Sequence, residues 1–320
     1  MNDKYVIFVL SFSIYKSEFL MVINEVTIIG AGTMGNGIAQ IFAMNNFKVK
    51  LFDTSKQALQ KAINTIEINL NRMSVKDIIS ESDVATSLSN IQISDSISES
   101  VKSADIIVEA ATENYNLKLD IFGQIDALSQ KNCILATNTS SISITKIASV
   151  TSRQEKVIGM HFMNPVPVMK LVEVIRGYNT SDEVCNTIMN LCNTLQKTPV
   201  EVNDYPGFVA NRILMPMINE AINCLNEGVA GVQEIDAVMK LGMAHPLGPL
   251  ALADFIGLDT CLSIMNILYS GFGNQKYAPC PLLINMVAAG KLGKKSGEGF
   301  YIYSQVSKDM KLSPKFKKQG

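Results

Sequence analysis

The chain has 320 residues, of which 47% are hydrophobic, and its 28 basic and 29 acidic side chains leave a net charge of −1. That length and apolar content suffice for two domains with a sizeable core. The charge balance lacks the basic bias of a nucleic-acid binder, and the composition is not that of a disordered chain.

The first stretch, "YVIFVLSFSIY", is apolar but too short to span a bilayer, so no membrane partner is expected. Its flank "MNDK" carries no net positive charge and no small-residue cleavage site follows, which speaks against a signal peptide. Residues 1–20 are therefore expected to be a disordered extension or the product of an upstream start. Met21 opens "MVINEVTIIG", which reads as the start of a domain.

Val26–Ile29 has the pattern of a strand, followed by a Gly-rich turn and the helical pattern "MGNGIAQIFAMNN". "FKVKLFD" predicts a second strand ending at Asp53, and Thr54 or Ser55 can cap a long helix beginning at Lys56. Further strands are predicted at 104–110, 133–138, 156–162, 170–175 and 198–202, with helical stretches between most of them. Such alternation means a doubly wound, Rossmann-type, mostly parallel sheet covered on both faces. The rhythm stops at Pro206-Gly207, and almost everything after it has helical period. The expected organisation is a Rossmann domain over 21–206, an all-α C-terminal domain over 207–303 and a loose basic tail over 304–320.

"VTIIGAGTMGNGIAQ" holds G-x-G-x-x-G at Gly30, Gly32 and Gly35, with Ala31, Thr33 and Met34 between them. Alone this is a weak signal, but here it follows a strand, opens a helix and precedes an acid at the end of the next strand. Gly30 allows the tight turn, Gly32 the approach of a pyrophosphate and Gly35 close helix–strand packing. Asp53, eighteen residues past Gly35, would accept from the adenosine ribose and repel a 2′-phosphate, so NAD is the expected cofactor rather than NADP.

His161 is one of two histidines, and it is predicted to end a parallel strand, where open α/β sheets place their sites. Beside a nicotinamide it can take the proton of an alcohol as hydride leaves the carbon. Glu173 can hold the ring's other nitrogen. A core histidine and an edge-strand glutamate read equally well from these two residues alone. Six cysteines (Cys133, Cys185, Cys192, Cys224, Cys261, Cys280) form no CxxC pair, so no zinc site is readable and reduced thiols in a cytoplasmic protein are expected.

"NTSSISI", "GMHFMNPVPVMKLVEVI", "PGFVANRIL", "HPLGPLALADFIGLD" and "GKKSGEGFY" together resemble the L-3-hydroxyacyl-CoA dehydrogenases, most of all the bacterial 3-hydroxybutyryl-CoA dehydrogenases, over roughly residues 21 to 303. The resemblance implies an NAD-dependent exchange between a short (S)-3-hydroxyacyl-CoA and its 3-ketoacyl-CoA, in butyrate fermentation or fatty-acid β-oxidation. It makes His161 the catalytic histidine and Glu173 its partner. Ser140 and Asn211 become polar groups holding the substrate oxygen and thioester, although by residue type alone they read as a loop cap and a solvated helix-start amide. The resemblance further implies cofactor contacts from Glu113, Lys118, Ser140, Asn164 and Lys295. Contacts to coenzyme A are implied for Ser140, for Lys76, which otherwise reads as a surface lysine, and for Asn69. His245, in the "HPLGP" turn, is expected to be structural. A homodimer or higher homo-oligomer through the helical domain is expected, with that domain's own core as the other use of its apolar stretches. The rivals are a free hydroxy-acid (sugar-acid) 3-dehydrogenase on the same fold and a non-catalytic NAD-binding protein.

Overall fold

The computed structural model describes residues 21–304 and 310–317. The first part is an open sheet of eight strands: β1 (Glu25–Ile29), β2 (Lys48–Phe52), β3 (Ile91–Ser94), β4 (Ile106–Glu109), β5 (Ile134–Thr137), β6 (Val157–Phe162), β7 (Leu171–Arg176) and β8 (Thr198–Asn203). Their spatial order is β3-β2-β1-β4-β5-β6-β7-β8. The first six thus follow the doubly wound 3-2-1-4-5-6 order, whose switch point lies between β1 and β4. Seven helices accompany the strands: α1 (Thr33–Met44), α2 (Lys56–Ser74), α3 (Glu81–Ser89), α4 (Ile97–Val101), α5 (Tyr115–Leu128), α6 (Ile144–Ala148) and α7 (Asp182–Thr194).

Strands β1, β4, β5 and β6 are apolar on both faces because helices cover both, as a parallel sheet requires. One core joins Ile28, Val108, Ala136, Met160 and Val174 to α1, α2 and α7. The other joins Ile29, Ile107, Leu135 and Ile175 to α5 and α6. The alternation along β6 therefore turns Met160 and Phe162 to one core and His161 to the opposite face.

Two features depart from the sequence-based expectation. Helix α3 and strand β3 are additional; β3 pairs only with β2, and its mixed burial gives weak periodicity. The pair β6–β7 is antiparallel, so His161 ends a strand that is parallel to β5 and antiparallel to β7. Strand β7 lies between β6 and β8, which makes Glu173 an internal residue and not an edge-strand one.

Beyond Pro206-Gly207 five helices surround a third core: α8 (Ala210–Asn226), α9 (Val232–Gly242), α10 (Pro249–Ile256), α11 (Leu258–Phe272) and α12 (Pro281–Ala288). This part is not purely helical, since β9 (Tyr301–Ile302) pairs with β10 (Lys311–Leu312). The expectation of a loose tail fails for 310–317: Ser313 is buried and donates to Glu298 Oε1 at 2.9 Å, and Phe316 packs against Phe300. The expectation for residues 1–20 lies outside the described residues. Among the described residues no single helix is long and apolar enough to cross a membrane.

Candidate active site at the strand ends

Gly30 has φ of +103°, and a side chain there would meet the Ala110 carbonyl oxygen at 2.6 Å. Gly35 sits so close beneath the turn that a Cβ would lie 1.7 Å from the Gly30 oxygen. At Gly32 a Cβ would meet nothing within 4 Å, so the backbone of the turn faces open space that only a side chain or a ligand would fill. Gly32 is also the N-cap of α1 and supplies no side-chain acceptor to its first turn. A helix N-terminus left with free N–H groups beside an open backbone suits a pyrophosphate. Asp53 braces this cradle: Oδ2 accepts from Ala31 N at 2.8 Å and Oδ1 from Ser55 N at 2.8 Å. Ser55 caps α2 through its hydroxyl, which accepts from Ala58 N. The dinucleotide fits these residues.

His161 and Glu173 are direct cross-strand partners. The ring's Nδ1 lies 2.8 Å from Glu173 Oε2, and both side chains are buried. Glu173 Oε1 accepts from Ala210 N at 2.9 Å and Val209 N at 3.2 Å, at the start of α8. Burial alone would raise the Glu173 pKa. The hydrogen bonds from His161, Ala210 and Val209, with the attraction of the ring, outweigh it and hold the carboxyl below its ordinary value. Glu173 is thus an anion that fixes one ring nitrogen and leaves Nε2 for proton exchange. Phe208 packs against the imidazole, with ring centroids 5.9 Å apart.

Asn211 lies in the first turn of α8 and is only 9% exposed, so it is not the solvated helix-start amide its residue type suggests. Its Nδ2 donates to the Ser140 carbonyl at 3.1 Å, which sets the loop after β5 against α8. Glu113 grips the same loop: Oε1 accepts from Thr139 Oγ1 at 2.5 Å, Ser141 Oγ at 2.8 Å, Ser140 N at 3.0 Å and, more weakly, Ser140 Oγ at 3.4 Å. Burial would raise the Glu113 carboxyl, but Lys118 and these donors bring it below the ordinary range.

Lys118, expected as a cofactor contact, is buried beside two carboxylates. It is 1% exposed, its ammonium lies 2.7 and 2.9 Å from the two oxygens of buried Glu109, and it is 3.4 Å from Glu113 Oε2. Its charge is spent beneath the loop, where it supports Glu113. Asn164 follows β6 in the turn to β7. Lys295 is not brought to the strand ends by any hydrogen bond or ion pair among the described residues; it pairs with Asp259 at the start of α11. Lys76 is exposed just after α2. Asn69, on α2, donates to Gln40 Oε1 of α1 at 3.3 Å, so its amide is partly committed to the core. His245 lies in the turn between α9 and α10, its N–H donating to the Met239 carbonyl.

Sequence reasoning missed Asn138, whose Oδ1 accepts from Phe162 N at 2.9 Å and so ties the end of β5 to that of β6 beside the histidine. It stands in the same "NTSS" stretch as Ser140, and a polar residue at a strand end was its signal. Glu109 was missed because a carboxylate ending an apolar strand gives no sign of its buried lysine.

Comparison with known proteins agrees with this geometry. Residues 25–205 match the family model described as 3-hydroxyacyl-CoA dehydrogenase, NAD binding domain, and residues 207–303 match that of the 3-hydroxyacyl-CoA dehydrogenase C-terminal domain. A probable 3-hydroxybutyryl-CoA dehydrogenase of Bacillus subtilis is 54% identical over 285 residues, covering 89% of this chain and 99% of that one. The 3-hydroxybutyryl-CoA dehydrogenase of Clostridioides difficile is 49% identical over 281 residues, covering 88% and 100%. The crystal structure of (S)-3-hydroxybutyryl-CoA dehydrogenase from Ralstonia eutropha superposes with a TM-score of 0.86 at 53% identity, covering 89% of this chain and all of that one. With both of its domain models matched in order along one chain, this NAD-binding protein belongs to the 3-hydroxyacyl-CoA dehydrogenase family.

Proposed function

We propose that the chain interconverts (S)-3-hydroxybutanoyl-CoA, or another short 3-hydroxyacyl-CoA, with its 3-ketoacyl-CoA, using NAD. The observation that carries this reading is the His161–Glu173 pair, held at 2.8 Å at the carboxyl end of the NAD-binding sheet with Ser140 and Asn211 joined beside it. Bound NAD supplies the hydride acceptor. His161 Nε2 takes the hydroxyl proton as the alcohol is oxidised and returns it when the ketone is reduced. Glu173, anionic and fixed by two backbone N–H groups, keeps the proton of the neutral ring on Nδ1 and stabilises the imidazolium. Ser140 Oγ and the second N–H of Asn211 Nδ2 are neutral donors suited to the substrate's 3-oxygen and thioester carbonyl. Exposed Lys76 offers its charge to coenzyme A phosphates.

The helical part carries exposed Val229, Val238, Leu241 and Met243, and an apolar cleft of about 400 Å³ lined by Met217, Cys224, Val229, Ile235 and Met239. Such a surface supports a homodimer through this part. Six free cysteines, five of them buried, suit a reducing cytoplasm. Butyrate formation and fatty-acid oxidation both use this reaction. The test is NADH oxidation followed at its absorbance with acetoacetyl-CoA, longer 3-ketoacyl-CoAs and free acetoacetate. Turnover with the thioesters and not with the free acid is expected. Equal turnover of the free acid would overturn the coenzyme A reading.

A further inference from the structure

Lys197, between α7 and β8, is 6% exposed, and the partners of its ammonium among the described residues are backbone carbonyls rather than a carboxylate. Its Nζ donates to the carbonyls of Val166 at 2.5 Å and Met169 at 2.8 Å. Burial, with repulsion from nearby Lys170, lowers its pKa. Both carbonyls belong to the turn from β6 to β7, in which the Pro165 carbonyl also accepts from Val168 N and Met169 N at 3.0 Å each. That turn joins the strands that carry His161 and Glu173 opposite each other, and it includes Asn164. The turn also rests on the dinucleotide-binding helix: a Cβ built at Gly37 of α1 would lie 2.9 Å from Val166 Cβ. The turn is therefore held both by packing against α1 and by a buried ammonium. A cation is kept there at a desolvation cost that a neutral, well-packed residue would not carry.

We propose that Lys197 is a positioning residue of the reaction: by holding the carbonyls of Val166 and Met169 it fixes the β6–β7 turn, and so the relation of the His161–Glu173 pair to the cofactor helix. The inference rests on the functional reading above for its turnover measurements, but its binding measurements do not need a substrate. Displacing such a turn misplaces the proton carrier relative to the bound dinucleotide, and a misplacement of about 1 Å can cost on the order of 10²-fold in rate.

The test compares the full chain with Lys197→Met, which keeps the stem and loses the donors, with Gly37→Ala, and with Gly37→Ala combined with Val166→Ala. The alanine at 37 pushes on the turn at Val166, and Val166→Ala trims the side chain it pushes against, removing Cγ2 at 3.2 Å and freeing the turn to give. NADH sites are counted and their affinity measured by calorimetry, and kcat is expressed per NADH site. Lys197→Met and Gly37→Ala should each lower kcat per site by roughly 10- to 100-fold and weaken NADH by roughly two- to tenfold, the worth of one hydrogen bond. The double variant should recover most of both. A lysine that merely stabilised the fold would lower the melting temperature and the number of sites while leaving kcat per site at the wild-type value, and that result overturns the proposal. Should Lys197→Met fail to fold, the Gly37 pair decides: a loss that Val166→Ala does not relieve also overturns it. A wild type that binds NADH but turns over no 3-ketoacyl-CoA would sink the functional reading instead, leaving the affinity series to judge Lys197.

Discussion

Glu173→Gln should be far more damaging than a near-isosteric change suggests, and the hydrogen bonds show why. The carboxylate serves His161 Nδ1 with one oxygen and the N–H groups of Ala210 and Val209 with the other. Glutamine has one oxygen for both tasks. If the oxygen faces the imidazole, the amide NH₂ meets two backbone donors at the buried start of α8, leaving both unsatisfied at about 1–3 kcal/mol each. The cheaper choice points the oxygen at α8 and the NH₂ at Nδ1. The neutral ring must then carry its proton on Nε2, the nitrogen needed to accept the substrate's. Loss of the tautomer and of the charge that stabilises the imidazolium are combined, as in the aspartate-to-asparagine change of a serine-protease triad, which costs about 10⁴ in kcat. A loss of roughly 10³–10⁴ in kcat is expected, equal to about 4–5.5 kcal/mol of transition-state stabilisation. NAD affinity should survive, because the Gly30–Gly35 turn and Asp53 share no hydrogen bond with Glu173. The assay is steady-state oxidation of NADH with acetoacetyl-CoA, run across pH. Ketone reduction needs the imidazolium, which the variant disfavours, so the alkaline fall in rate should move to lower pH. A kcat within tenfold of wild type, with an unmoved profile, would refute this account.

In a cycle of His161→Gln, Glu173→Gln and the double variant, the losses should be strongly non-additive because both residues serve one proton transfer; a double loss equal to the product of the single losses returns Glu173 to a purely structural role. Asp53→Ala should weaken NAD by roughly tenfold or more, since it removes both the ribose acceptor and the brace on Ala31 N, and should relax discrimination against NADPH; a wild type that uses NADPH as well as NADH contradicts the assignment. Burial raises Asp254 from 3.8 to about 6, against the hydrogen bonds it accepts from Tyr301, Phe300 and Tyr303. The folded state therefore binds this proton more readily than the unfolded one, and the contribution grows as pH falls through 6 towards 3.8. From pH 7.5 to pH 5 the wild type should gain on the order of 1 kcal/mol relative to Asp254→Asn, read from denaturant unfolding; a difference independent of pH means the carboxyl is not so shifted.

Much of the sheet is written locally. The apolar runs of β1, β4, β5 and β6 are bounded by Gly, Asn and Ser, and the glycines of the first turn carry conformational demands that can be read without a structure. The direction of β7 cannot be read that way. Glu173 comes twelve positions after His161, a spacing open to several geometries, and an antiparallel register, not proximity in sequence, puts their side chains face to face. Lys118 was legible as a residue of the site but not as a buried one, because its partner Glu109 ends a different strand. Ser313 and Phe316 lie in a lysine-rich stretch whose composition hides the two residues that anchor it.

The site takes its form from the junction of the two parts. Val209, the N-cap of α8, offers no side chain to that helix's first N–H groups, and Glu173 of the sheet supplies the missing acceptor. Two residues along, Asn211 returns a donor to the Ser140 loop, while Asp204, just before Pro206, accepts from Ser143 Oγ and from the N–H groups of Ile144 and Thr145 at the start of α6. The six residues between β8 and α8, with the first turn of α8, thus tie the sheet's carboxyl edge to the helical part beyond it. The backbone N–H groups that help keep Glu173 ionised are satisfied only once α8 has docked, so the charge the histidine depends on is set by the same contact that brings the helical part into place.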